Sequence, residues 1–438
     1  MTCLGGNADD AAEDWADDPA AAAVALERLW AAGEVVGLAA PEERAELRQL
    51  LDRAGEPLRY WGPAVVIGSG GSSGGRRWCL QPLSHLRQSA AATGEWLRRQ
   101  GIDPAGTVVV NPLPLHHVSG LLPLLRSRHW GVPLRWLAPA VMRQTAALLA
   151  LDPLPTERQA LISLVPTQLH RLMADPAGLS WLRGFAVIWV GGASLAPALA
   201  AAARQAGLRL SPCYGATETA AMVAAQPPQA FLAGETGCGA ALADVELRLC
   251  SGGGEGVNGS GAIEVRTSRL SPGWLRAGPL SPGAPALQPF AGPEGWWRSG
   301  DAGWLDGTGL GVHGRLDGAI LSGAETVFPE RVEETLKQRA RQAGLPIAEL
   351  LLLPVADPLW GQRLVALYRT EDIVGRPETS LGPSFAEIAR QLPAAQRPQR
   401  WIACPPLERN GLGKWERKRW QAWLVSGHAS SSLGGAIL

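Results

Sequence analysis

Four stretches of this chain bring together residue types suited to phosphate, to a hard cation, or to negative charge that grows during a reaction. The first, Ser69-Gly70-Gly71-Ser72-Ser73-Gly74-Gly75-Arg76-Arg77, directly follows the apolar run Ala64 to Gly68. Glycines let a backbone turn tightly and aim N–H groups at phosphate oxygens, hydroxyls add donors, and arginines add charge. The same composition suits a flexible linker, and on this segment alone the two readings balance. The second stretch, Ser211 to Thr219, ends in Tyr214-Gly215-Ala216-Thr217-Glu218-Thr219. A hydroxyl beside a carboxylate can place a donor on phosphate and an acidic oxygen on Mg²⁺. A capped helix start with Thr217 and Glu218 in its first turn uses the same residues, and both readings can hold together. The third comprises Ser299 to Gly303, Gly314 to Gly318 and Ser322 to Glu325. There Asp301 could accept from a ribose diol and Arg315 could meet a sugar or phosphate, although each alone is more often just a surface turn. The fourth, Arg409-Asn410-Gly411-Leu412-Gly413-Lys414, is a glycine loop able to deliver an ammonium group, or else a solvated basic loop. Only three lysines, Lys337, Lys414 and Lys418, occur among the 40 basic residues.

These segments need elements to carry them. Ala64 to Gly68, Thr107 to Asn111 and Ala186 to Gly191 read as buried strands, and Ser84 to Gln100 and Leu195 to Ala206 as helices. Alternation of the two predicts an α/β domain around a largely parallel sheet. Asp244 to Cys250 and Ala262 to Thr267, joined by the Gly-rich Ser251 to Gly261, predict a β-rich subdomain. Beyond the Pro/Gly-rich Ser271 to Gly295, a small α+β unit is expected. Its strands are Ala319 to Ser322, Glu349 to Val355 and Arg363 to Arg369; its helices run from Pro329 to about Ala343 and from Phe385 to Gln391. Ser426 to Leu438, rich in Gly and Ser, reads as a frayed end.

At 438 residues, 46% of them apolar, the chain is expected to form two or three domains. Acidic and basic residues balance at 40 each, so no strong field favours nucleic acid or an anionic membrane. The acidic N-terminus does not read as a secretory signal, and no run approaches the ~20 apolar residues of a membrane span. A cytoplasmic location is expected. The six cysteines include no C-x-x-C pair, which argues against structural zinc and a disulfide framework.

In their order, the four stretches resemble the adenylate-forming superfamily of acyl-CoA synthetases, luciferases and peptide-synthetase adenylation domains, from about Val65 to Arg417. The resemblance implies a phosphate loop at Ser69, Gly70, Gly71, Ser72, Ser73, Gly74 and Arg77, with Arg76-Arg77 where the family has Pro-Lys. It implies Thr217 on phosphate, Glu218 on Mg²⁺ and Tyr214-Gly215 within the family's Tyr-Gly-x-Thr-Glu motif. Gly191, Gly192, Ala193 and Ser194 would line adenine, Asp301 would bind ribose, and Arg315 would follow the family's glycine. Lys414 falls on the catalytic lysine, and Ala324 replaces a glycine in the loop facing the thiol. In Leu113 to Leu121, His117 takes the position of a histidine gating the acyl tunnel, against the plain alternative of a packed histidine. The implied domains are 1–316, binding ATP and acid, and 317–438, a mobile unit carrying the lysine, with a hinge at Asp317.

The short segment before the phosphate loop, and Ser163-Leu164-Val165-Pro166-Thr167-Gln168-Leu169, are similar to the 2-succinylbenzoate-CoA ligases of menaquinone and phylloquinone biosynthesis. That resemblance implies a diacid, ATP, Mg²⁺ and coenzyme A, and no nucleic-acid or membrane partner. A diacid needs an anchor for its second carboxylate, for which Gln168, Arg171 and Arg204 are candidates. Another aryl or medium-chain acid-CoA ligase, an adenylation enzyme loading a carrier protein, and a nucleotide-binding regulator are the alternatives.

Overall fold

The computed structural model describes residues 2–3, 18–69, 77–138, 141–143, 147–148, 153–155, 157–250, 260–276, 286–292, 294–323, 325–371, 381–409 and 415–426. Cα packing separates the chain into two compact units, Met1–Val312 and His313–Leu438, against an expected division at 316/317.

In the larger unit the central sheet runs Ala221–Ala225, Leu210–Ala216, Phe185–Val190, Gln159–Leu164, Thr107–Asn111, Leu134–Trp136. Every neighbouring pair is parallel except the first, an antiparallel hairpin. The strands are apolar runs because both faces are covered. Ile188 and Val190 join the core beneath helices Pro166–Met173, Pro176–Arg183 and Pro197–Gln205, whereas Val187 and Trp189 join Trp96 and Leu97 of helix Leu83–Arg99. The expected strands and helices are present, their ends shifted by one or two residues. Each of the three shorter helices starts on a proline, which fixes φ and has no N–H to leave unpaired.

A second sheet holds the strand Ala64–Ser69, buried along its length, parallel to Val35–Leu38 and antiparallel to Arg77–Pro82. In this register Ser69 lies opposite Arg77. Trp274–Leu275 adds to the same sheet through the pairing of Trp274 with Cys79. A third sheet contains Val245–Cys250, Ser260–Thr267, Trp297–Asp306 and Gly309–Arg315, the β-rich part expected from sequence.

The smaller unit is built on a long hairpin, Ile347–Asp357 with Gly361–Thr370. Alternate residues feed two cores: Leu350 and Leu352 meet helices Pro329–Gln342 and Gly382–Ala389, and Leu351 and Leu353 meet helix Arg417–Val425. Among the described residues no helix is long and apolar enough to cross a membrane.

Candidate active site

Strand Leu210–Ala216 ends in a 3-10 turn, Thr217–Thr219, and the chain returns as Ala221–Ala225. Thr217 and Glu218 therefore occupy a hairpin turn rather than the start of an α-helix. Gly215 is required here, because a Cβ would sit 2.2 Å from the Ala221 carbonyl oxygen. Ala220 and Ala221 adopt φ of 50° and 75°, left-handed conformations that cost a non-glycine residue roughly 1 kcal/mol or more each. The surroundings impose them. Ser89 Oγ donates to Ala220 O at 2.6 Å. The Arg269 side chain, 0% exposed, donates to Thr219 O at 2.6 Å and Met222 O at 2.8 Å, and pairs with Asp244 at 2.7 Å.

So held, the turn buries Glu218 and places its Oε1 to accept from Ser69 Oγ at 2.5 Å and from the Trp274 indole N–H at 3.0 Å. Both donors are neutral, and among the described residues Glu218 enters no ion pair. Its charge is felt nearby: burial first, then Glu218, pushes the Cys79 thiol well above its ordinary value. Thr217 Oγ1 lies 3.4 Å from Gly68 O, and Thr217 O accepts from Gln81 Nε2 at 2.6 Å, so the turn is tied to both strands of the Ser69/Arg77 hairpin. Arg77 lies with its guanidinium carbon 4.6 Å from the centroid of Trp274.

Tyr214 OH donates to Asp301 Oδ2 at 2.6 Å, and Asp301 lies within strand Trp297–Asp306 rather than in a turn. Gly191 to Ser194 follow strand Phe185–Val190, with Gly191 close enough to Cys213 that a Cβ would meet its Sγ at 3.0 Å. His117 immediately precedes helix Val118–Trp130, its ring centroid 4.5 Å from that of His116.

Helix Val118–Trp130 also buries Arg126 to 4% exposure. Its guanidinium carbon lies 4.6 Å from the Trp189 centroid, and its Nε has no hydrogen-bond partner among the described residues. Burial draws its pKa down to about 10, so it is still a cation at neutral pH. The anchors named from sequence are otherwise engaged or exposed. Gln168 Oε1 accepts from Val165 N at 3.2 Å, Arg204 donates to Phe231 O at 2.7 Å and Glu235 O at 2.9 Å, and Arg171 is on the surface.

In the smaller unit Arg315 forks onto Asp317, with Nε–Oδ1 at 3.1 Å and Nη2–Oδ2 at 3.2 Å. Lys414, Gly70 to Gly74 and Ala324 lie outside the described residues. Sequence reasoning missed Trp274, Arg269, Gln81 and Arg126. The first two flank or enter a Pro/Gly-rich stretch that composition marks as linker, and Arg126 is one arginine in an apolar helix.

The family described as AMP-binding enzyme matches residues 9–275. The 2-succinylbenzoate-CoA ligase of Salmonella typhimurium is 30% identical over 317 residues, 71% of this chain and 59% of that protein. The probable 2-succinylbenzoate-CoA ligase of Mycobacterium tuberculosis is 29% identical over 90% of this chain and 92% of its own length. The chain thus spans 59% of the Salmonella relative and nearly all of the mycobacterial one. Among solved structures, the o-succinylbenzoate CoA synthetase of Bacillus subtilis, in complex with its acyl-adenylate intermediate, superposes with a TM-score of 0.64 at 20% identity, covering 82% of this chain and 68% of that one. ATP-bound MatB from Rhodopseudomonas palustris gives 0.65 at 18% identity, covering 82% and 67%. At such identities the likeness is one of fold.

Proposed function

The chain belongs to the AMP-binding enzyme family, and from that premise we propose that it is a cytoplasmic, ATP-dependent acid-CoA ligase acting on 2-succinylbenzoate. The observation that carries the reading is Glu218: a buried carboxylate facing only neutral donors among the described residues, one of them Ser69 at the start of the Ser/Gly segment. Such a group is short of positive charge. No cluster of three or more His, Cys, Asp or Glu able to hold a metal occurs among the described residues. That fits Mg²⁺, which binds through one or two carboxylates and completes its shell with substrate phosphates and water. Bound there with the nucleotide, Mg²⁺ would neutralise charge on the phosphate oxygens.

The reaction asks the protein for positioning and charge stabilisation. An oxygen of the substrate carboxylate attacks the α-phosphorus of ATP, the bond to the bridging oxygen breaks, and pyrophosphate leaves. Thr217 and the 69–77 hairpin hold phosphate oxygens; Asp301, pre-set by Tyr214, takes the ribose diol; Gly191 to Ser194 line adenine. Lys414 from the smaller unit balances charge as the carboxylate attacks. The coenzyme A thiolate then attacks the acyl carbonyl and AMP leaves. A hinge at Asp317 would let the residues beyond it move between the steps, and the Asp317 carboxylate is paired with Arg315.

We assign the second carboxylate of the diacid to Arg126, a buried guanidinium whose Nε has no partner among the described residues, in the helix that follows His117. A site built for an anion discriminates strongly against an analogue lacking it. AMP formation with coenzyme A is therefore expected to be faster with 2-succinylbenzoate than with benzoate or octanoate, and Arg126→Leu to raise KM for the diacid while leaving the monoacids unchanged. Equal turnover of a monoacid by the wild type would refute the substrate assignment.

A further inference from the structure

The segment from Arg269 to Trp274 holds the Thr217–Thr219 turn at three levels. Arg269 fixes the carbonyls of Thr219 and Met222, the Ser271 N–H donates to Glu218 O at 2.8 Å, and the Trp274 indole N–H reaches the Glu218 carboxylate at 3.0 Å. Trp274 is itself held in place. It pairs in the sheet with Cys79 and Gln288, and its ring meets Phe290 at 4.5 Å between centroids and Arg77 at 4.6 Å. Gly273 permits this approach, since a Cβ would fall 2.5 Å from Gln288 O.

We propose that Trp274 is a positioning residue for the cation-binding carboxylate: its N–H, with the Ser69 hydroxyl, occupies Glu218 Oε1 and reserves Oε2 for Mg²⁺. Two neutral donors orient the carboxylate without cancelling its charge, as a lysine or arginine in the same place would. Through its ring the same side chain orients Arg77 at the exit of the phosphate loop, so metal ligand and loop are set by one residue. The proposal rests on the ligase reading for its metal and nucleotide.

Trp274→Phe keeps an aromatic ring for Arg77 and Phe290 and removes only the N–H. The test is calorimetric titration of ATP into wild type and variant, with Mg²⁺ and with chelator. A hydrogen bond to a charged group corresponds to about tenfold in affinity. The gain in ATP affinity that Mg²⁺ confers is expected to shrink about tenfold in Trp274→Phe, with metal-free binding within twofold of wild type. Ser69→Ala, which takes the other donor from the same oxygen and a hydroxyl from the phosphate loop, is expected to lose affinity with and without Mg²⁺, and to lose clearly more with it. Equal loss with and without Mg²⁺ would mark Trp274 as merely structural and overturn the proposal. So would an unchanged Mg²⁺ effect in either variant, and Ser69→Ala decides the matter if Trp274→Phe does not fold. Wild type that binds MgATP but shows no acid-dependent pyrophosphate exchange would remove the ligase reading and leave the calorimetry to decide Trp274.

Discussion

Glu218 in the larger unit and Glu333 in the smaller are each 5% exposed, and they are accommodated in opposite ways. Glu333 Oε1 accepts from Leu352 N at 2.9 Å and from Arg417 Nη2 at 3.0 Å, while Arg417 Nη1 donates to Leu352 O at 2.8 Å. The protein supplies the cation itself, and the pair ties helix Arg417–Val425 to the long hairpin. Burial still outweighs Arg417 and pushes the Glu333 carboxyl above its ordinary value. Glu218 meets a hydroxyl and an indole, and no protein cation among the described residues. The buried arginines show the same contrast: Arg269 is met by Asp244 and carbonyls, whereas Arg126 Nε has no partner among the described residues. Buried charges cost least when paired internally, so groups left without a counter-charge mark where a ligand has to bring one.

The contrast is most exposed to Glu218→Gln, which keeps an acceptor for Ser69 and Trp274 and removes the charge. Adenylate formation is expected to fall roughly 10²-fold or more, with no loss of thermal stability. A lowered melting temperature with activity retained would make Glu218 a structural residue like Glu333.

Arg417→Met is expected to do the reverse. It strands Glu333 and should cost the smaller unit about 2 kcal/mol, less than the full figure for a buried pair because Arg417 is partly exposed. Hydrogen exchange along 347–357 reads this loss directly. Unchanged protection there would show that the ion pair contributes nothing to that unit.

The smallest effect expected is one of pH. Burial opposes the charge of Glu349, but Lys337 at 2.8 Å and Arg409 at 3.3 Å outweigh it and hold its carboxyl below its ordinary 4.5. Its contribution is therefore fully present above pH 4.5 and is lost as pH falls from there through the lower folded value. Glu333, raised instead, gives the opposite slope: its contribution is complete below 4.5 and lost as pH rises through its folded value. On acidification below 4.5, protection in the smaller unit should fall in wild type and fall less in Glu349→Gln. Identical profiles would show that Lys337 and Arg409 do not set the Glu349 titration.

Much of the scaffold was legible because its signals are local. Apolar runs between Gly, Pro and Asp marked the central strands to within a residue or two, and the 69–77 and 214–219 segments were found by residue type. Strand Arg77–Pro82 was not found, since Arg-Trp-Cys-Leu-Gln-Pro shows neither alternation nor an unbroken apolar run, and it is a strand because Ala64–Ser69 pairs with it. Trp274 belongs to a strand of two residues in a stretch of glycine and proline, too short to carry any periodicity.

By itself the sequence determined the α/β class, the order of the segments and the residue types able to handle phosphate, ribose and a hard cation, because propensity and periodicity act over a few neighbours. Only the tertiary structure decided which of these meet. Ser69 and Glu218 lie 149 residues apart, Tyr214 and Asp301 87, and Trp274 and Glu218 56. Such pairings follow from strand register and the packing of whole sheets, and they alone reveal which buried charges are matched within the chain and which await a ligand.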